Sequence, residues 1–97
     1  MTRRFTKSDG VVERKVRDSL ILVPLKTGPA RLDALYTLNE TAAFIWREVG
    51  DQVSEDDLVA RMMDEYEVDE ATARGDVSRA LDSLLGIGAL RIKDQQL

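Results

Sequence analysis

LYTLNETAAFIW, residues 35–46, changes character halfway along. Leu35, Tyr36, Thr37 and Leu38 suit a pleated, half-buried surface. Asn39 is a strong helix N-cap, because its side-chain oxygen accepts one of the unpaired backbone N–H groups of the first turn. Glu40 follows, where negative charge complements the helix dipole. Ala42, Ile45, Trp46 and Val49 then recur at helical spacing as one apolar stripe, and Gly50 ends it. The stretch therefore predicts a strand running straight into a helix. It holds the chain's single Trp and no His, Cys or glycine-rich loop.

Upstream the pattern is that of a sheet. VVERKVR, from Val11, sets β-branched residues among long charged ones, as on a half-exposed sheet face. Asp18-Ser19 is a candidate turn, and SLILVPL reads as a second, more buried strand ending near Pro24. The two form an antiparallel hairpin. KTGPARLDA carries Gly28 and Pro29 and reads as a loop, and LYTL is the third strand. Residues 1–9 read as a loose leader with little to bury. The domain then runs over 10–92, and 93–97 are a tail.

Downstream, Ser54-Glu55-Asp56-Asp57 has the form of a capping box with Asp in the third helical position. Leu58, Val59, Met62, Met63 and Tyr66 give that second helix an apolar side. Asp69 caps a third helix, where Ala73, Val77, Ala80, Leu81 and Leu84 line one face. Gly75 inside it costs about 1 kcal/mol relative to Ala, so it either accommodates a close approach or is merely tolerated. Gly86 and Gly88 end the helix, and ALRI (89–92) forms a short closing strand. The fold class is α+β: an N-terminal three-stranded antiparallel sheet packed on a three-helix, winged-helix-like bundle.

Composition narrows the function. The chain has 97 residues, no Cys and no His, which excludes disulfides and thiolate metal sites and removes the commonest general base. The longest apolar run, LILVPL, is far short of the roughly 20 residues a membrane span needs. The basic N-terminus lacks the apolar run of a secretory signal, so a cytoplasmic protein is expected. Net charge is −4 but uneven. Residues 1–31 carry eight basic side chains against three acidic, and residues 40–82 carry four arginines against thirteen carboxylates. Such halves either steer a charged partner or are solvated faces.

The ordered set Leu38-Asn39-Glu40-Thr41-Ala42-Ala43, Ile45-Trp46, Ser54 to Val59, Glu65-Tyr66 with Val68-Asp69, Ala73, and Leu84-Leu85 with Gly88 and Leu90 resembles the PqqD family of peptide-modification chaperones. The resemblance covers roughly residues 10–92. It implies a recognition element for ribosomally synthesised, post-translationally modified peptides. Such a domain binds the leader segment of a precursor peptide and presents it to a modifying enzyme, often a radical-SAM protein. It needs no cofactor and performs no chemistry itself.

An exposed strand edge can accept an extended peptide as one more strand, with main-chain hydrogen bonds for affinity and side-chain pockets for specificity. The resemblance puts the receiving edge at Ala34, Leu35, Tyr36, Thr37 and Leu38. It puts the facing wall on the third helix at Arg74, Val77, Ser78 and Leu81. Arg74 would pair with an acidic leader residue, and Val77 and Leu81 would floor an apolar pocket. Both also lie on the apolar stripe and are equally readable as core; Tyr36 and Trp46 read as core ahead of contact, and Arg74 reads equally as a surface residue without a partner.

Three other functions compete with this one. A DNA-reading winged helix needs a basic recognition helix, whereas here Arg74 and Arg79 stand against Glu70, Asp76 and Asp82. An enzyme lacks its motifs: Glu55-Asp56-Asp57 has no calcium-loop spacing, and Gly86-Ile87-Gly88 follows a helix where a dinucleotide site requires a strand. A self-associating scaffold, a homodimer through an open edge, is compatible with peptide recognition.

Overall fold

The computed structural model describes residues 3–24, 36–50 and 52–93. Six strands and three helices are assigned within them: β1 (Arg4–Lys7), β2 (Val11–Val16), β3 (Ser19–Pro24), β4 (Tyr36–Leu38), α1 (Glu40–Glu48), β5 (Val53–Ser54), α2 (Glu55–Glu65), α3 (Glu70–Gly86) and β6 (Leu90–Lys93). The fold is α+β, with two small antiparallel sheets of order β2-β3-β4 and β5-β1-β6.

The first sheet is the expected one. β2 pairs with β3 from Val11↔Pro24 to Val16↔Ser19, so the hairpin loop is Arg17-Asp18, one residue earlier than Asp18-Ser19. Arg17 has φ 57°, the left-handed region. Two-residue hairpin loops favour such a value because it matches the strand twist. β3 pairs with β4 through Leu20↔Leu38, Ile21↔Thr37 and Leu22↔Tyr36. Leu20, Leu22 and Leu38 face the core, whereas Val12 and Val16 on the other face are exposed.

The second sheet corrects the reading of residues 1–9 as a segment with little to bury. Phe5 is 0% exposed. It sits on β1 opposite Val53 of β5 and Ile92 of β6. Its ladder partners lie about 50 and 90 residues away in the chain, which local composition does not reveal.

The helices start where their caps are. Asn39 Oδ1 accepts from Ala42 N at 2.8 Å, and Asp69 Oδ1 from Thr72 N at 2.8 Å. Ser54 and Asp57 complete the capping box: Ser54 Oγ accepts from Asp57 N at 3.0 Å, and Asp57 Oδ2 accepts from Ser54 N at 3.3 Å. α1 buries five successive residues, Ala42 to Trp46, a wider face than the stripe alone predicts. α2 buries Leu58, Val59 and Met62, while Met63 turns outward. α3 buries Ala73, Val77, Ala80, Leu81 and Leu84, the face expected for it.

α3 stops in a Schellman motif. Ala89 N donates to Leu84 O and Gly88 N to Leu85 O, at 2.9 and 3.0 Å. Gly88 has φ 82°, which a side chain would strain. The turn throws β6 back against β1. Gly75 has no such duty: among the described residues a Cβ there would meet only Arg79 Nη1, at 3.6 Å, so this glycine is tolerated and accommodates no close approach from them.

Candidate functional site

Among the described residues β4 is an edge strand, and its ladder phase follows from the hairpin. Backbone pairs in antiparallel ladders alternate between those that exchange hydrogen bonds and those that do not. The two-residue loop closes on Val16↔Ser19, so Ser19, Ile21 and Val23 direct their backbone groups toward β2. Leu20 and Leu22 direct theirs toward β4, where they meet Leu38 and Tyr36. Thr37 stands opposite Ile21 and turns its own N–H and C=O outward, away from β3. Among the described residues it is therefore an unmatched donor and acceptor on the open edge.

That edge opens into a groove of about 420 Å³ between β4 and α3. Tyr36 and Thr37 form one wall, and Asn39, Thr41 and Ala42 at the start of α1 close one end. The opposite wall is the α3 surface of Asp76, Arg79, Ala80 and Ser83, with Arg79 and Asp76 ion-paired. The groove is polar on most sides, with hydroxyls from Thr37, Thr41 and Ser83.

The expected site residues fall into separate places. Tyr36 and Thr37 line the groove. Leu38 is buried and borders a second recess of about 690 Å³ beneath the sheet, whose rim is set by Glu13, Lys15, Glu40 and Arg47. Ala34 and Leu35, with the KTGPARLDA loop, lie outside the described residues. Val77 and Leu81 are both 0% exposed, so the expectation that they floor a pocket gives way to the alternative of ordinary core. Ser78 is half-buried and lines neither recess.

Arg74 points toward α2. Its Nη1 donates to Asp56 Oδ1 and its Nη2 to Glu70 Oε2, both at 3.0 Å. The hydrogen bonds it donates to Glu70, then to Asp56, raise its pKa above the ordinary arginine value. Both α3 arginines are thus matched by carboxylates, an arrangement ill-suited to holding phosphates.

The missed wall had a signal. An apolar stripe marks what a helix buries. A groove beside that helix is lined by the flanking stripe, here Asp76, Arg79 and Ser83 at i, i+3 and i+7. Choosing residues from the stripe itself selects core. Among the described residues no group of His, Cys, Asp or Glu is arranged to hold a metal ion, and no helix is long and apolar enough to cross a membrane.

The chain is similar to known proteins. The family profile described as Coenzyme PQQ synthesis protein D (PqqD) matches residues 19–90. The solved structure "TbiB1 in Complex with the TbiA(beta) Leader Peptide" superposes with a TM-score of 0.72 at 26% sequence identity, covering 89% of this chain and 94% of that one. No curated protein gives a match.

Proposed function

Because the chain belongs to the family of coenzyme PQQ synthesis protein D, we propose that it captures the leader segment of a ribosomally synthesised precursor peptide as an added strand on the free edge of β4. The observation that carries this reading is Thr37, whose outward backbone groups border a groove walled by α3. An extended guest beside β4 exchanges hydrogen bonds with Thr37 and projects alternate side chains toward Tyr36 and the α3 wall. The complex of TbiB1 with a leader peptide supports the reading, since that protein shares the fold over nearly its whole length.

The protein holds the peptide and a separate enzyme modifies it. A chain without His or Cys has few groups suited to catalysis, so the reactive partner is a modifying enzyme, for which a radical-SAM protein is the first candidate. A soluble chaperone of this kind works in the cytoplasm, alongside newly made precursor.

Amide-shift titration of isotope-labelled protein with a candidate precursor peptide tests the proposal. The largest shifts are expected at residues 36–38 and along α3 from Asp76 to Ser83. Shifts confined to Arg3 through Arg17 would overturn it.

A further inference from the structure

β2 is the other edge of the same sheet: among the described residues it pairs only with β3. Five of its six residues are exposed and the sixth, Val11, is half-buried. Val12 and Val16 are 38% and 46% exposed on the outer face, where a sheet turned to water ordinarily carries polar residues. Strand propensity accounts for valines there, but it leaves two aliphatic side chains on one exposed face of an edge strand.

We infer that β2 pairs antiparallel with β2 of a second copy, about a two-fold axis through Arg14. This register makes the strand complementary to itself. Val12 lies opposite Val16 of the second copy, twice, and closes the outer face. Glu13 lies opposite Lys15 of the second copy, again twice, and matches charge on the inner face. Glu13 Oε1 is engaged by Trp46 and Lys7, and among the described residues its second oxygen is left for this pair. The backbone phase agrees. Arg14 stands opposite Ile21 and turns its N–H and C=O toward β3, leaving those of Glu13 and Lys15 for the free edge. These are the residues that must exchange hydrogen bonds when the axis passes through Arg14.

A charged edge ordinarily discourages pairing, but here only Arg14, facing itself, meets like charge. The resulting sheet has the order β4-β3-β2-β2-β3-β4, with a β4 edge free at each end. The dimer thus offers two grooves and binds two guests without either blocking the other. The inference does not depend on what the grooves bind.

Sedimentation velocity of the full chain over a concentration series tests it, without any peptide. A reversible monomer–dimer equilibrium is expected. Val16→Glu should weaken association roughly tenfold or more, since it spoils both outer-face pairs. Adding Val12→Lys to the same chain should restore it, because each new ammonium then faces a new carboxylate. Arg14→Glu mixed with the unchanged chain should form mixed dimers in preference to either homodimer, a result peculiar to this register. All these side chains are solvent-exposed, and circular dichroism checks that each variant folds. A chain that stays monomeric at every concentration overturns the inference. So does a dimer indifferent to Val16→Glu, or an Arg14→Glu mixture without preference.

Discussion

Trp46 donates its Nε1–H to Glu13 Oε1 at 2.7 Å, which ties α1 to the β2–β3 hairpin. The Lys7 ammonium lies 4.6 Å from the centre of the indole ring and 3.7 Å from the same Glu13 oxygen. Three segments therefore meet on a side chain that is itself 1% exposed. Removing the acceptor strands a buried donor, which typically costs about 1–3 kcal/mol. Glu13→Ala should lower unfolding stability within that range, and Glu13→Gln, which keeps an acceptor, should lower it less. Urea unfolding followed by Trp46 fluorescence measures both. Equal losses would show that the charge, and not the hydrogen bond, matters.

Thr37→Pro removes the donor that faces the groove and leaves the ladder to β3 intact, since edge strands tolerate proline where the N–H points outward. Leader-peptide affinity should fall up to about tenfold, the equivalent of one hydrogen bond, with little change in unfolding midpoint. Titration calorimetry reads the affinity. An unaltered dissociation constant in a folded variant would place the guest elsewhere.

Two α3 substitutions separate the groove wall from the side facing α2. Ser83→Trp fills the groove from an exposed position and should abolish peptide binding. Arg74→Ala removes two surface ion pairs but touches no groove residue, so affinity should hold. A loss with Arg74→Ala and none with Ser83→Trp would move the contact surface around the helix.

The glycines of α3 should respond in opposite directions. Gly75→Ala relieves the entropy of an open helical position and should stabilise by up to about 1 kcal/mol. Gly88→Ala forces a side chain into the left-handed region and should destabilise by about 1–2 kcal/mol. Thermal unfolding of the two variants, run side by side, checks the sign of each.

Acid should loosen two helix starts. Hydrogen bonds from the Ser54 backbone, then its hydroxyl, hold the Asp57 carboxyl below its ordinary value, and those from Thr72 do so for Asp69. A group depressed on folding contributes stability above its unfolded pKa, about 3.9 for Asp, and loses it as pH falls through the folded value. Asp69→Ser keeps an N-cap that does not titrate. It should flatten the acid limb of the melting-temperature profile while leaving the neutral plateau nearly unchanged.

What could be read from the residues was local. Asn39, Ser54 with Asp57, and Asp69 announce helix starts because a cap needs only its own first turn. The buried face of α3 follows from spacing alone. β1 was invisible because RFTK holds one apolar residue whose partners, Val53 and Ile92, come from distant parts of the chain. β5, two residues long, has no pattern to recognise. The edge at Tyr36–Leu38 was legible as a strand, but the α3 wall needed the rotation of the helix against β4, which tertiary packing decides.

The Schellman turn at Gly88 has one more consequence. By returning β6 along β1 it sets Arg4 directly across the ladder from Lys93. A bridge of a few residues could join these positions, and the chain could then be cut at the Arg17-Asp18 loop. The rearranged protein would begin at β3 and finish at β2, with β4 and α3 still linked in their natural order. Such a circular permutant would show whether recognition depends on the order of connection or only on what ends up adjacent.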